Sequence, residues 1–293
     1  MDPTRLHPQA RAALAGQPRE PLAIANLDAV RRSMRDATLE EVGAGPALAQ
    51  VADVDAGGVP CRWYASDSHE FLMLFAHGGG WVMGDLDTHD ALCRHLAAAT
   101  GAAVLAVDYR RAPEHPYPAG LDDVHAALDW LRANHPGPVV LAGDSAGGHL
   151  AAAVARRARD AGTPVAAQVL ICPVLDPSMY YPDLDEYGLH RDEMSFFWDA
   201  YAPSGADRST ADLDVLHADL TGTAPTIIVT AELDILRREA EEYGRRLMAA
   251  GVPVVCARYQ GMTHNFVRKL AQFDAAHAAV AQVAGTLRRW PLR

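Results

Sequence analysis

The residues that could carry chemistry begin with the pentapeptide Gly143-Asp144-Ser145-Ala146-Gly147. The apolar run Val139–Leu141 precedes it as a predicted strand, and an alanine-rich predicted helix follows it. In this strand–turn–helix setting, a G-x-S-x-G sequence forms a nucleophile elbow that exposes the serine at a sharp turn. The N-terminal end of the helix also favours developing negative charge. The pattern predicts Ser145 as a nucleophile. The alternative is a glycine-rich turn with an incidental serine.

A second motif, His77-Gly78-Gly79-Gly80-Trp81, directly follows the apolar run Phe71–Ala76. Three consecutive glycines leave backbone N–H groups free of side chains, and such donors can stabilise an oxyanion. The alternative is a flexible glycine turn. No Gly-Lys-Ser/Thr sequence follows, so the motif is not that of a phosphate-binding loop.

A serine nucleophile needs a base and a group that orients the base. Asp234 follows the predicted strand Ile227–Thr230, and His264 follows the predicted strand Pro253–Ala257. Catalytic groups collect beyond the C-terminal ends of parallel strands, and the order serine, aspartate, histidine is that of this fold. The sequence therefore predicts a triad of Ser145, Asp234 and His264. Taken singly, Asp234 could cap a helix, and His264 could be an ordinary loop residue.

The elements that must position these residues alternate between short apolar runs and amphipathic helices. This alternation predicts an α/β fold, with a mostly parallel central sheet and helices on both faces. A hairpin turn at Gly57-Gly58 precedes it. The segment 176–216 breaks the alternation and predicts a helical insertion that covers a site. The predicted division is N-terminal helices at 1–45, a core at 46–175 and 217–293, and a cap insertion at 176–216.

Composition excludes several classes of protein. The chain has 293 residues, 49% hydrophobic and 22% charged, which is typical of a globular protein. Its net charge of −11 and single lysine, Lys269, argue against nucleic acid as a partner. The four cysteines lie far apart without zinc-site spacing, which favours a reducing cytoplasm. We find neither a secretory leader pattern nor an apolar run long enough to span a membrane.

Together, these stretches resemble the bacterial hormone-sensitive-lipase-like esterases, the family IV carboxylesterases of the α/β-hydrolase fold. The matching segments span nearly the whole chain and are His77–Trp81, Asp108–Pro116, Gly143–Gly148, Glu232–Asp234 and Gly261–Phe266.

The resemblance implies an α/β-hydrolase fold with a helical cap built from the N-terminal helices and the insertion 176–216. It implies the same triad and an oxyanion hole formed by the N–H groups of Gly78, Gly79 and Ala146. It also implies hydrolysis of small-molecule esters with short to medium acyl chains, and a homodimer is possible because dimers occur among similar proteins. The serine chemistry needs no cofactor, and the sequence has no recognisable metal-ligand motif.

The chain departs from the family pattern near two of these residues. The family usually has Asp-Pro-Leu where this chain has Asp234-Ile235-Leu236, and an acidic residue where this chain has Arg238, although Glu239 remains. The glycine usual after the catalytic histidine is Asn265, the residue that best replaces glycine at positive φ. We therefore expect the His264 loop to keep its shape.

Several interpretations stay open at the level of sequence. Trp81, Trp198 and Tyr201 could line a substrate pocket or simply pack. Asp85, Asp87, His89 and Asp90 resemble metal ligands, but Asp87 and Thr88 are expected to cap the next helix instead. Three other functions fit the same fold: an amidase or formamidase, a lipase for long acyl chains, and a receptor that binds small molecules without turnover.

Overall fold

The computed structural model describes residues 3–15, 22–181 and 187–292. One eight-stranded sheet forms its centre. In chain order the strands are β1 (Gln50–Asp55), β2 (Pro60–Ala65), β3 (Leu72–Ala76), β4 (Ala103–Val107), β5 (Val139–Asp144), β6 (Ala167–Ile171), β7 (Thr226–Leu233) and β8 (Val254–Thr263). The helices are α1 (Pro8–Leu14), α2 (Leu27–Val42), α3 (Asp90–Thr100), α4 (Ala119–Asn134), α5 (Ala146–Asp160), α6 (Arg191–Tyr201), α7 (Arg237–Ala249) and α8 (Asp274–Leu287).

The strand order across the sheet is β1-β2-β4-β3-β5-β6-β7-β8. The pairs β1–β2 and β2–β4 are antiparallel, and all others are parallel. The predicted α/β-hydrolase fold with a mostly parallel sheet is confirmed. Because β3 lies directly beside β5, the glycine run after β3 and the serine turn after β5 emerge next to each other.

The two faces of the sheet bury separate apolar layers because strand side chains alternate. In β3, Leu72 and Leu74 belong to the layer covered by α4, α5 and α7, whereas Met73 and Phe75 face α3 and α8. All five β3 side chains are buried. Continuous apolar runs of this kind need helices on both sides of the sheet, as the sequence predicts.

A bulge between β7 and β8 sets the position of the residues that follow them. Ala231 pairs with Tyr259, but Leu233 pairs with Thr263, so two steps on β7 face four steps on β8. Gly261 lies in this irregularity with φ 67°, and its N–H donates to Glu232 at 2.8 Å. Asp234 directly follows Leu233 and His264 directly follows Thr263, and these are the two residues that the sequence predicts to act with Ser145.

The predicted cap segments include α1, α2 and α6, while residues 16–21 and 182–186 lie outside the described ranges. His7, which precedes α1, donates its N–H to the Gly261 carbonyl at 3.0 Å. The predicted hairpin at Gly57-Gly58 joins β1 and β2, with both glycines at positive φ. Among the described residues, no helix combines the length and apolar character that a membrane crossing requires. The domain boundaries stay a prediction.

The turn after β5 is pressed against β3. A Cβ atom on Gly147 would lie 2.0 Å from the carbonyl oxygen of Ala76, and one on Gly143 would lie 2.3 Å from the carbonyl oxygen of Gly147. Both contacts are with backbone atoms, which cannot swing aside. These positions therefore require glycine for close packing.

We predict that Gly147→Ala destabilises the fold by about 2 kcal/mol or more, because the added methyl group forces two backbone segments apart. The matched control is Gly285→Ala in α8, where an added Cβ meets nothing within 4 Å. That change should stabilise the protein by about 0.5–1 kcal/mol through helix propensity. Urea unfolding measures both. Equal effects of the two substitutions would contradict the packing argument.

Candidate active site

Ser145 lies at the turn between β5 and α5 with φ 53° and ψ −120°. This conformation is strained for a residue with a side chain and persists only where the surrounding structure enforces it. Here its N–H donates to the Ile171 carbonyl at 2.8 Å. The turn places the Ser145 hydroxyl beyond the C-terminal end of β5, at the start of α5.

Asp234 and His264 follow the last paired residues of β7 and β8, so the register that pairs Leu233 with Thr263 brings them together. His264 Nδ1 lies 2.7 Å from Asp234 Oδ2, and His264 Nε2 lies 2.9 Å from Ser145 Oγ. A carboxylate only accepts hydrogen bonds, so Nδ1 carries the proton and Nε2 accepts from the hydroxyl. The three residues predicted from the sequence therefore form one continuous chain of hydrogen bonds.

The electrostatics of this chain are dominated by burial and by Asp234. Burial by itself would lower the pKa of His264, but the charge and hydrogen bond of Asp234 outweigh it and raise the pKa above its ordinary value. Asp234 Oδ1 also accepts the N–H of Leu236 at 2.9 Å. Asp234 therefore forms a turn directly before α7 but does not cap that helix, because the cap residue is Leu236 and makes no side-chain cap bond.

Asn265 confirms the expectation for the position after His264, since it adopts φ 64° in the left-handed region. Glu239 is buried and accepts the N–H of Leu175 at 2.6 Å. Burial raises the pKa of Glu239 well above its usual range. Through the hydrogen bond to Leu175, Glu239 holds the segment that follows β6 in place.

The glycine loop is held by its carbonyl groups. Every carbonyl from His77 to Gly79 accepts a hydrogen bond, as do those of Trp81, Val82 and Gly84. Within the three glycines and His77, Tyr109 Oη donates to His77 O (2.8 Å), His77 Nδ1 donates to Gly78 O (2.8 Å), and Met83 N and Val82 N donate to Gly79 O (2.7 and 3.1 Å). In the turn that follows, Ala112 N donates to Trp81 O (2.9 Å), Arg31 Nε to Val82 O (2.8 Å) and Arg111 Nη1 to Gly84 O (2.5 Å). The loop is therefore rigidly oriented.

The Gly78 N–H donates to Asp144 Oδ1 at 2.8 Å. This bond contradicts the predicted role of Gly78, because a donor that already serves a carboxylate is not available to an oxyanion. By contrast, no acceptor among the described residues takes the N–H of Gly79, Gly80 or Ala146. The Gly80 N–H was not singled out from the sequence, because three glycines in a row do not show which of their N–H groups is left without an acceptor.

The side chain of Asp144 joins the glycine loop to His89. It is buried and lies 3.3 Å from His89 Nε2. Burial by itself would raise the pKa of Asp144, but the interactions with His89 outweigh burial and lower it. His77 stacks on Tyr109 with ring centroids 4.2 Å apart. Burial, together with His89, lowers the pKa of His77 to about 3, so the ring is neutral.

The three aromatic residues predicted as a pocket pack on one another behind the loop. Trp81 stacks on Tyr201 with centroids 4.5 Å apart and lies 4.6 Å from Trp198. All three are fully buried, so their assignment to a substrate pocket stays a prediction. The ring that lies against Gly80 is that of Phe197 on α6. A Cβ on Gly80 would lie 2.3 Å from this ring.

The side chains between β3 and α3 that resemble metal ligands are engaged elsewhere. Asp85 and Thr88 exchange hydrogen bonds of 2.8 and 2.9 Å, and Asp87 pairs with Arg62 at 3.0 Å. The expectation that Asp87 and Thr88 cap α3 is wrong. The cap residue is His89, which makes no side-chain cap bond because its ring turns toward Asp144.

Sequence reasoning also missed a neighbour of the triad. The Cys172 sulfur lies within 4.8 Å of ligand atoms of both Asp234 and His264. Cys172 is buried and adopts φ 44° at the end of β6. Burial, together with the charge of Asp234, raises the pKa of the thiol well above its ordinary value, so Cys172 stays protonated. Its position in the strand run gave no signal beyond that of a buried apolar residue.

Comparison with known proteins identifies the family. Residues 73–268 match the family model of the α/β-hydrolase fold. The carboxylesterase NlhH of Mycobacterium tuberculosis is 39% identical over 234 residues, which cover 74% of this chain and 73% of NlhH. The esterase LipI of the same species is 36% identical, covering 86% of this chain and 85% of LipI.

A solved structure of an esterase from Pyrobaculum calidifontis superposes with a TM-score of 0.88 at 34% identity, covering 98% of this chain and 100% of that one. The resemblance drawn from the sequence motifs is confirmed. The chain belongs to the α/β-hydrolase family and, within it, to the hormone-sensitive-lipase-like carboxylesterases.

Proposed function

We propose that this protein hydrolyses carboxylic esters with Ser145 as the nucleophile, His264 as the general base and Asp234 as the group that orients the base. The observation that carries the proposal is the continuous hydrogen-bond chain, 2.9 Å from hydroxyl to imidazole and 2.7 Å from imidazole to carboxylate. All three side chains are buried. Burial strengthens each interaction because little water competes for it.

The reaction proceeds in two halves. Ser145 Oγ attacks the ester carbonyl carbon while His264 Nε2 takes the hydroxyl proton. The tetrahedral intermediate then expels the alcohol, to which His264 returns that proton. A water molecule, deprotonated in turn by His264, attacks the acyl-enzyme, and His264 gives this proton to Ser145 Oγ as its bond to the acyl carbon breaks and the carboxylic acid leaves. Asp234 holds the imidazole tautomer and stabilises the imidazolium in both halves.

The oxyanion formed in each half is stabilised by the N–H groups of Gly79, Gly80 and Ala146. Their lack of acceptors among the described residues supports this donor set over one that includes Gly78. Ala146 contributes from the first turn of α5, where the helix dipole adds to its hydrogen bond. Loss of one such donor typically costs about 3–4 kcal/mol of transition-state stabilisation.

The substrate class is small esters with short to medium acyl chains. The Phe197 ring on α6 occupies the space that a side chain at Gly80 would fill. This packing of α6 against the glycine loop supports limited room for the acyl group next to Gly80.

We predict that p-nitrophenyl esters are hydrolysed fastest with short to medium acyl chains and that Ser145→Ala abolishes turnover of every chain length. An organophosphonate should label the wild-type protein at Ser145 in a 1:1 ratio, as seen by mass spectrometry. Matched anilides of the same acids should react far more slowly, because the leaving group is poorer. Activity retained in Ser145→Ala would contradict the proposal, and equal rates on esters and anilides would favour an amidase.

We predict that kcat/KM falls below a pH that lies above the ordinary imidazole value of about 6.5, because the pKa of His264 is raised and only neutral imidazole accepts the serine proton. Asp234→Asn removes the charge that raises this pKa, so the pKa should drop. The kcat of Asp234→Asn should fall by about 10⁴-fold. NMR titration of His264 measures the pKa in both proteins. An unchanged pKa in Asp234→Asn would rule out this electrostatic role.

A further inference from the structure

Arg31 on α2 reaches into the turn that follows the glycine loop. Its Nε donates to the Val82 carbonyl at 2.8 Å, and its Nη2 donates to the Ala112 carbonyl at 3.0 Å. The two terminal nitrogens of Arg31 donate to the two carboxylate oxygens of Glu114 at 2.7 and 2.9 Å. The Arg31 side chain is only 17% exposed. One guanidinium therefore ties the N-terminal helix to two loops of the core.

The bond to Val82 has a consequence beyond anchoring, because each peptide group carries its carbonyl and its N–H at opposite ends. The peptide that presents the Val82 carbonyl presents the Met83 N–H, which donates to the Gly79 carbonyl at 2.7 Å. The peptide that presents the Gly79 carbonyl presents the N–H of Gly80. A hydrogen-bond chain thus runs from the guanidinium through two peptide groups and ends on the Gly80 N–H.

A second chain reaches the same N–H. Ala112 donates its N–H to the Trp81 carbonyl at 2.9 Å, and Val82 donates to the Gly79 carbonyl at 3.1 Å. The Ala112 carbonyl that Arg31 binds belongs to the peptide with Pro113, which has no N–H, so Arg31 holds Ala112 in place without polarising this second chain. Hydrogen bonds in series polarise one another, and a charged donor at the head strengthens each bond that follows.

We infer that Arg31 is a positioning residue for the oxyanion hole, which orients and polarises the Gly80 N–H through the Val82–Met83 and Gly79–Gly80 peptide groups. The inference rests on the proposed function, because it assigns Gly80 as an oxyanion donor. Arg31 does not touch the reacting atoms. Its contribution is made only when negative charge develops opposite the Gly80 N–H, so it acts on the transition state more than on the bound ester.

The test replaces Arg31 by Gln, with Glu114→Gln as the matched control. Glu114→Gln removes the ion pair but leaves the arginine and both carbonyl acceptors in place. We expect Arg31→Gln to lower kcat by about 10-fold, a part of the 10²–10³-fold loss seen when an oxyanion donor is removed outright. KM should change by no more than about twofold, and Glu114→Gln should keep most of the wild-type kcat.

A second readout separates positioning from a merely structural role. A trifluoromethyl ketone forms an anionic tetrahedral adduct with the serine, whereas the matching methyl ketone binds as a neutral substrate mimic. Arg31→Gln should weaken the trifluoromethyl ketone by the same factor as kcat/KM and leave the methyl ketone unchanged. If Arg31→Gln does not fold, Arg31→Lys, which keeps the charge beside Glu114, should show the same selective loss to a smaller extent.

Unchanged kcat in a folded Arg31 variant would overturn the inference, as would equal weakening of both ketones. The labelling of Ser145 by an organophosphonate tells the two proposals apart. Failure of the wild-type protein to be labelled would overturn the proposed function and this inference together. Normal labelling with unaltered kcat in the variant would overturn the role of Arg31 alone.

Discussion

The contact between the turn after β5 and the end of β3 is the constraint on which the site depends. Gly147 approaches the Ala76 carbonyl so closely that no side chain fits between them. This approach brings the strained Ser145 and the glycine loop to one place, because the two segments leave adjacent strands. The hydrophobic layers on both faces of the sheet hold the turn in a conformation that an isolated peptide would not adopt.

The orientation of the glycine loop depends instead on the hydrogen bonds that its own carbonyl groups accept. Its carbonyls are bound by Tyr109, His77 and neighbouring backbone groups. With one end of each peptide fixed, the opposite N–H groups of Gly79 and Gly80 have a fixed direction. In the proposed oxyanion site, donors held in this way would need no reorganisation during the reaction, which is the source of the electrostatic advantage of such sites.

Sequence reasoning reached the features that are encoded by local pattern. Alternating apolar runs predicted the sheet, the order of Ser145, Asp234 and His264 pointed to residues that the structure brings into contact, and Asn265 was expected at positive φ. It failed where tertiary contacts decide. Asp144 takes the Gly78 N–H from 66 positions away, and Arg31 reaches Val82 across 51. The turn of His89 toward Asp144, which replaces a helix cap, is of the same kind.

The bulge between β7 and β8 makes the length of one short segment as important as its composition. Between Tyr259 and Thr263 the chain must contain three residues for the imidazole to arrive beside its carboxylate. Removing one of them would turn His264 toward the opposite face of the sheet, since side chains alternate along a strand. A single-codon deletion here would disconnect the imidazole from the serine while every residue of the triad is still encoded.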